Sequence, residues 1–286
     1  MNAALWKKTI REARWLLVGG MAFMLAVHWL RVWIASFFSV RSLEGIFSFM
    51  PSVVETMLPV TYAQMATTAG RIAIAYDDPV VLLLVTVWAI SRGSDAVAGE
   101  LNRGTMEMVL AQPVTRLGVL GTQAAVTLAG AALLAGSALL GTAIGLATVT
   151  LDQPASLPSF LPAAVNLFAI TVFLAGLSTM VSSGSNYRAR VIGLVGGFYA
   201  VSMVVKIAGR MAPGYGWLTY FSFFTPFEPQ LLVADTARAW SLGSRTAAGA
   251  IEVGGLGYDS ILVGLGLAFY LVAAIVFYRR DLPAPL

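Results

Sequence analysis

The sequence predicts an all-α, polytopic integral membrane protein with six transmembrane helices, and three observations predict it. Of the 286 residues, 58% are hydrophobic and 11% are charged, whereas a soluble domain carries about 25% charged residues. Six segments reach the length of roughly 20 mostly apolar residues that a membrane helix needs. Backbone groups inside lipid must pair within their own segment, which selects helices over open strands.

The six apolar segments are separated by two long stretches, residues 37–78 and 209–258, and by three short ones. The second segment is marginal because Arg92 and Asp95 lie in its last turns. Residues 46–76, which precede it, are broken by prolines and charges and are predicted to form an interfacial helix and a loop. The predicted spans are residues 15–36, 79–97, 117–147, 159–181, 191–208 and 259–278.

Residues 1–14 are predicted to form an amphipathic N-terminal helix. Trp6, Ile10 and Ala13 share one helical face, and Lys7 and Arg11 share another. Such a helix lies at the headgroup level before the chain turns into the bilayer. An ordinary basic anchor for the first span explains the same residues.

Basic and acidic residues separate to opposite ends of the spans, which predicts the orientation. Lys and Arg concentrate on the cytoplasmic side of membrane proteins, so we expect both termini to be cytoplasmic. The acids expected outside are Glu44, Glu55, Asp77, Asp78, Asp152, Glu228, Asp235, Glu252 and Asp259. The bases expected inside are Lys7, Lys8, Arg11, Arg14, Arg92, Arg103, Arg116, Arg188, Arg190, Arg279 and Arg280.

The span interiors argue against a secondary transporter. No Asp or Glu falls in the middle of a predicted span, and ion-coupled transporters usually need such a carboxylate. Arg31 and Lys206 lie near outer span ends, where we expect them to snorkel to water.

A membrane-embedded enzyme is a second alternative that the sequence disfavours. There is no cysteine and one histidine, His28, so no thiolate or histidine-rich metal site is predicted, and we expect His28 to be hydrogen-bonded in the bundle. Ser182, Ser183 and Ser185 are predicted to lie at a cytoplasmic loop, far from His28. No H-E-x-x-H, G-x-S-x-G or phosphate-loop motif occurs, so any ATP hydrolysis belongs to another polypeptide.

The bases form no single patch, and no nucleic-acid partner is predicted.

Two further patterns are open to more than one interpretation. Residues 209–258 are rich in aromatic side chains, which is typical of an aromatic belt at the membrane interface; a re-entrant or lid structure over an outer mouth is the alternative. Gly141-x-x-x-Gly145 and Gly193-x-x-x-Gly197 allow close helix packing, either within the chain or between two chains.

Residues 99–116 form a polar stretch between two long apolar segments. Glu100, Arg103 and Glu107 share one helical face, and an apolar face that includes Met106 is predicted to seat in a partner's groove or to lie along the membrane. A break is predicted at Gly104. Pro113 is predicted to stop the helix and Thr115 to cap the next span. A surface connector and a docking helix explain this pattern equally well.

The same stretch, "AGELNRGTMEMVLAQPVTR", resembles the cytoplasmic segment of ABC type-2 transporter permeases, A-G-E-x-x-x-G-T-x-E-x-L-L-x-x-P-V-[ST]-R. Val109 replaces the first leucine of the pair. The ending "FYRRDLPAPL" and the order of the spans are similar to the family across residues 1–286, which we treat as one permease domain.

The resemblance implies the membrane subunit of an ATP-driven exporter in the plasma membrane, with no catalytic, metal or cofactor site of its own. Two permease chains would form the substrate pathway, and two cytoplasmic ATPase subunits would bind ATP and Mg. An amphipathic or lipid-like cargo is favoured by the apolar spans. The residues implied to couple to the ATPase are Glu100, Arg103, Gly104, Thr105, Glu107, Met108, Pro113 and Arg116.

Overall fold

The structure is a computed structural model that describes residues 3–38, 61–212, 214–245 and 251–281. Within these residues six helical segments are long and apolar enough to cross a membrane, which confirms the predicted number. They are Ala3–Ala35, Thr68–Asn102, Arg116–Thr148, Leu157–Ser183, Arg188–Met211 and Gly255–Arg279.

The elements are labelled in chain order. Short 3-10 helices lie at Ile74–Asp77, Leu157–Phe160 and Gly216–Phe221, and a π-helix lies at Asp95–Gly99. The strands are β1 (Gly243–Arg245) and β2 (Ile251–Val253), paired antiparallel. The α-helices are α1 (Ala3–Ala35), α2 (Tyr62–Ala66), α3 (Thr68–Ala73), α4 (Pro79–Ser94), α5 (Glu100–Asn102), α6 (Met106–Leu110), α7 (Arg116–Thr148), α8 (Leu161–Ser183), α9 (Arg188–Met211), α10 (Pro229–Ala234), α11 (Thr236–Ala239) and α12 (Gly255–Arg279).

Helix α1 runs without a break for 33 residues, so the predicted turn after residue 14 is absent from it. No glycine or proline interrupts its first four turns, and the i,i+4 pair Lys8–Glu12 spans 3.8 Å; both favour continued helix. The predicted apolar face is divided, since Ala13 is buried and Ile10 is exposed. At 1.5 Å per residue the helix is about 50 Å long, longer than the hydrocarbon core of about 30 Å. Contact of its first turns with lipid headgroups stays a prediction.

The second span begins earlier than predicted. Residues 61–76 fold as α2, α3 and a 3-10 turn, with α3 packed against α1 and α10; residues 46–60 of the predicted interfacial segment lie outside the described residues. Helix α4 begins at Pro79, as predicted. Asp78 caps it by accepting a hydrogen bond from the Val80 N–H at 3.0 Å, and proline suits a first helical turn.

Helix α8 is the centre of the bundle and packs against α12, α4 and α7. Close approach depends on glycine, because a β-carbon on Gly176 would lie 2.2 Å from the Gly266 carbonyl oxygen of α12. A β-carbon on Gly141 of α7 would lie 2.4 Å from the Leu25 carbonyl oxygen of α1. The Gly141-x-x-x-Gly145 motif therefore serves packing within the chain.

The second glycine motif lies on an open face of α9. No described atom outside α9's own backbone stands within 4 Å of where a β-carbon of Gly193 or Gly197 would be. Neighbouring apolar side chains on this helix, such as Leu194 and Val201, are exposed. This face is therefore free to contact lipid or another chain.

The aromatic side chains of residues 209–258, predicted to form a belt, fall into an exposed group and a buried group. Tyr220 and Phe221 are 81% and 72% exposed, as a belt requires. The belt interpretation is wrong for Phe224 and Phe227, which are 1% exposed, because the chain turns inward there and places them in the core. We call residues 214–245 the lid, after the alternative interpretation; that they cover an outer mouth stays a prediction. The β1–β2 hairpin, next to α12, is a small departure from the all-α prediction.

Charged side chains collect at the two ends of the bundle. We call them the basic end and the acidic end, and they match the two groups in the sequence. The basic end includes Lys8, Arg103, Arg116, Arg188 and Arg280, and the acidic end includes Asp77, Asp78, Glu228, Glu252 and Asp259. That the basic end is cytoplasmic stays a prediction.

Candidate functional site

The candidate site is the polar segment 99–116 at the basic end, where the second span leaves the bundle. The span changes from α-helix to π-helix at Asp95 and returns for a single turn, α5. Gly104 then adopts a left-handed conformation with φ 69°, which glycine allows at little cost. This is the predicted break, and it separates α5 from α6.

Thr115 caps α7 as predicted, by accepting a hydrogen bond from the Gly118 N–H at 3.0 Å. Helix α6 ends at Leu110, three residues before the predicted stop at Pro113, which is exposed.

Glu100 is the buried centre of the site, with 1% of its surface exposed. Its carboxylate accepts hydrogen bonds from Lys8 Nζ of α1 at 2.7 Å, from Arg103 Nη2 at 3.2 Å and from the Thr105 hydroxyl. Charge-assisted hydrogen bonds of this kind are stronger than neutral ones. They hold the first turn of the site against α1.

A second buried carboxylate, Asp95, extends this network to α9. Arg103 Nη1 donates to Asp95 Oδ1 at 2.7 Å, and Arg188 Nη1 lies 3.8 Å from the same oxygen. The hydrogen bond with Asp95 raises the pKa of the Arg103 guanidinium above its ordinary value. Arg103 therefore joins Asp95 and Glu100, and the site is tied to two spanning helices.

Ser182 of α8 holds the π-helix in place, a role that the sequence did not reveal. Its hydroxyl accepts hydrogen bonds from the Val97 and Ala98 N–H groups at 3.3 and 2.9 Å and donates to the Ser94 carbonyl at 3.0 Å. Backbone groups that the change of helix type would leave unpaired are thus satisfied by a side chain.

Helix α6 turns one side inward and one side outward. Met106, predicted to belong to the docking face, is instead buried against Ala273 and Phe277 of α12. Val109 and Leu110, of the same predicted face, remain partly exposed, so the correction concerns Met106, which turns toward α12. Met108 is 64% exposed and Glu107 is also exposed.

An apolar groove lies between α6 and the start of α1. Its volume is about 340 Å³, and Leu5 of α1 and Val109 of α6 line its walls. Lys8 and Met108 also line it. The groove is open to the outside of the molecule at the basic end.

The C-terminal end of the segment is hydrogen-bonded to the end of α12. Arg116 donates to the Phe277 carbonyl at 3.3 Å and to the Arg280 carbonyl. Arg280 in turn donates to the Ser183 and Ser185 carbonyls at 2.7 and 3.1 Å. The two ends of the site are therefore both fixed to the bundle, and α6 projects between them.

A family model described as ABC-2 family transporter protein matches residues 6–282. The chain belongs to the ABC-2 transporter family. This confirms the resemblance drawn from the polar segment, and family members of this kind are membrane subunits of transporters rather than catalytic subunits. No curated protein matches the chain.

In this ABC-2 family chain a second polar cluster lies at the acidic end and corrects the prediction for Lys206. Lys206 does not snorkel; it is buried and donates to the Phe224 and Phe227 carbonyls at 2.8 and 2.9 Å, with Glu228 Oε1 at 3.1 Å. The inward turn of the lid brings these acceptors over the end of α9. Arg31 pairs with Asp78 and keeps 30% of its side chain exposed, so its contact with water stays a prediction.

The remaining candidate groups are structural. His28 is buried, its Nδ1 lies 2.8 Å from the Met24 carbonyl oxygen, and its ring meets Tyr76 edge-on. Among the described residues no three or more acidic, His or Cys side chains are grouped as a metal site would require.

Proposed function

We propose that this chain is the permease subunit of an ATP-driven exporter, and that α6 and the adjoining groove bind a separate cytoplasmic ATPase. The observation that carries the proposal is the contrast within residues 99–116. Glu100 and Arg116 fix the two ends of the segment to the bundle, while Glu107 and Met108 point outward between them.

This arrangement suits the transmission of force. A partner that pushes on α6 acts on α1 through Lys8 and on α9 through Asp95 and Arg188. Met106 couples the same displacement to α12. Because packed interfaces move between discrete arrangements rather than deforming continuously, closure of the ATPase would shift whole spans.

The partners follow from the same proposal. Two ATPase subunits would supply ATP and Mg²⁺ chemistry, and two copies of the permease would enclose the pathway. The exposed α9 face around Gly193 and Gly197 supports a second chain, because small residues allow close contact. The basic end would then lie on the cytoplasmic side of the plasma membrane, and cargo would leave at the acidic end.

The test uses two substitutions on the outward side of α6. Glu107→Lys brings a reversed charge to the contact, and Met108→Asp brings an unpaired carboxylate. Mispaired groups at an interface cost about 2–5 kcal/mol, so we expect the affinity for the ATPase to fall by a factor of about 30 or more. Co-purification of the ATPase and ATP turnover of the complex are the measurements.

Matched controls carry the same changes elsewhere. Asp281→Lys places a reversed charge on an exposed residue at the basic end, and Leu242→Asp places a carboxylate on a side chain that is 70% exposed at the acidic end. Both should assemble like the wild type. If the two α6 variants also assemble and turn over ATP normally, residues 99–116 are only a surface connector.

A further inference from the structure

A large cavity at the acidic end lies away from the proposed ATPase site. Its volume is about 610 Å³, and it lies between α8, α9, α12 and the lid. The inner wall is an aromatic stack in which Phe223 of the lid lies 4.9 Å from Phe173 of α8 and 5.3 Å from Phe198 of α9, measured between ring centroids. Phe269 of α12 meets Phe173 edge-on at 5.5 Å.

The cavity has the length of one lipid leaflet. One stripe of α12, from Tyr258 through Leu262 and Leu265 to Phe269, forms its long side. At 1.5 Å per residue this stripe measures about 16 Å, close to half of the hydrocarbon thickness of about 30 Å. Leu265 is also 45% exposed, so the cavity opens sideways toward lipid.

Charged groups stand at one end of the cavity only. Arg238 of α11 and Glu252 of β2 line that end, and the Arg238 Nη1 to Glu252 Oε2 distance is a loose 3.7 Å. The Arg238 Nε–H is buried and has no hydrogen-bond partner among the described residues. The rest of the guanidinium is open, because the Arg238 side chain is 29% exposed and lines the cavity, so an anionic ligand atom there would meet a cation that Glu252 neutralises only loosely.

We propose that this cavity binds a single-chain zwitterionic amphiphile from the outer leaflet. Its apolar chain lies along the aromatic wall, and its anionic headgroup atom, a phosphate oxygen, accepts from Arg238. Its ammonium group faces the Glu252 carboxylate and the exposed ring of Tyr220, which line the same cavity; aromatic faces attract quaternary ammonium groups. Ligand sites of about 300–1,000 Å³ with apolar walls and a few placed polar groups are the general pattern.

Binding is a property of the permease alone, so it is measured on the purified chain without an ATPase. The probe is lysophosphatidylcholine with a photoreactive diazirine in its acyl chain, added to the protein in a non-ionic detergent. We expect labelling of the α12 segment that contains Leu265 and Phe269, and competition by unlabelled lysophosphatidylcholine. Because no coupling is involved, failure of the exporter proposal would leave this result unchanged.

Leu265→Trp is expected to fill the cavity and reduce labelling at least about tenfold. Leu271→Trp, on a side chain of the same helix that is 66% exposed and does not line the cavity, is the control and should be labelled normally. Equal labelling of the two variants would overturn the proposal. A second result would also overturn it: if two Leu265→Cys chains form a disulfide and labelling is lost at the same time, a second copy of the chain occupies the cavity.

The headgroup assignment has its own test. Loss of one charge-assisted contact should weaken lysophosphatidylcholine binding about tenfold, so Arg238→Gln and Glu252→Gln should each do so. An alkyl phosphate of the same chain length lacks the ammonium group. Its binding should fall with Arg238→Gln and not with Glu252→Gln. Equal responses of both lipids to both variants would contradict a zwitterionic site.

Discussion

At the scale of single residues, Glu100 is the side chain that connects residues 99–116 to α1 at the basic end. It is buried, yet Lys8 and Arg103 on either side of it keep 37% and 41% of their side chains exposed. Its interactions are therefore weaker than those of a fully buried network, because water screens the two cations. Its backbone position between the π-helix and Gly104 makes it the link between α1 and α6.

Glu100→Gln is expected to destabilise the permease by about 1–3 kcal/mol, since the amide keeps the shape but removes the negative charge between Lys8 and Arg103 and can replace the acceptor of the Thr105 hydroxyl by a donor. Unfolding of the purified chain in detergent measures this. Glu12→Gln removes the other carboxylate near Lys8, at 3.8 Å and half-exposed, and should cost no more than about 0.5 kcal/mol. Equal losses in the two variants would show that Glu100 has no special role.

Sequence reasoning at this scale succeeded where the partner is local and failed where it is distant. The Thr115 cap and the break at Gly104 depend on neighbours within four residues, and both are confirmed. The sequence predicts that Lys206 reaches water, and this is wrong. Its acceptors, such as the Phe224 carbonyl, come from the lid, and no local pattern indicates that the lid turns inward. Ser182 was missed for the same reason.

At the scale of elements, the π-helix Asp95–Gly99 is the feature that directs residues 99–116 away from the bundle. π-Helices are rare and often occur at functional sites. This one depends on a hydroxyl 85 residues away in sequence from Val97. Its register, and with it the direction of α5 and α6, is therefore set by α8.

Ser182→Ala is expected to release the Val97 and Ala98 amides. Their hydrogen exchange should become about tenfold faster or more, because a lost hydrogen bond worth about 1.4 kcal/mol changes the opening equilibrium tenfold. ATP turnover of the assembled complex should also fall, since α6 loses its fixed direction. Exchange is read by mass spectrometry on the peptide that covers residues 95–99.

Ser183→Ala is the matched control. Ser183 is also buried, and its hydroxyl donates to the Met180 carbonyl of its own helix at 2.7 Å. Exchange at residues 95–99 should not change in this variant. If Ser182→Ala behaves in the same way, the hydroxyl does not maintain the π-helix.

Hydropathy predicts the elements whose residues are apolar along their whole length, namely the membrane spans. All six spans were found from apolar length alone. Hydropathy does not predict the continuity of α1, which depends on helix propensity. Nor does it predict the early start of the second span, which depends on the packing of α3 against α10. The sequence does not predict the inward position of Met106, because the residues that bury it, Ala273 and Phe277, belong to α12 and are distant in sequence.

At the scale of the whole molecule, the charge distribution predicts the topology. The basic and acidic ends are separated by the bundle, and Lys and Arg favour the cytoplasmic side. Single cysteines at positions 152, 184 and 240, on a chain with no native cysteine, report the sidedness directly. An impermeant thiol reagent added to intact cells should label positions 152 and 240 but not 184. Labelling of position 184 alone would invert the orientation.

The central claim is that α6 contacts a separate ATPase, and a site-specific cross-link tests it most directly. A benzophenone on Met108→Cys, whose native side chain is 64% exposed, is irradiated in the complex purified with its ATPase. The account predicts a permease–ATPase adduct that depends on this position and is absent when the label is on Leu242→Cys. An intact, ATP-hydrolysing complex that yields no adduct from Met108→Cys, or the same adduct from both positions, would contradict it.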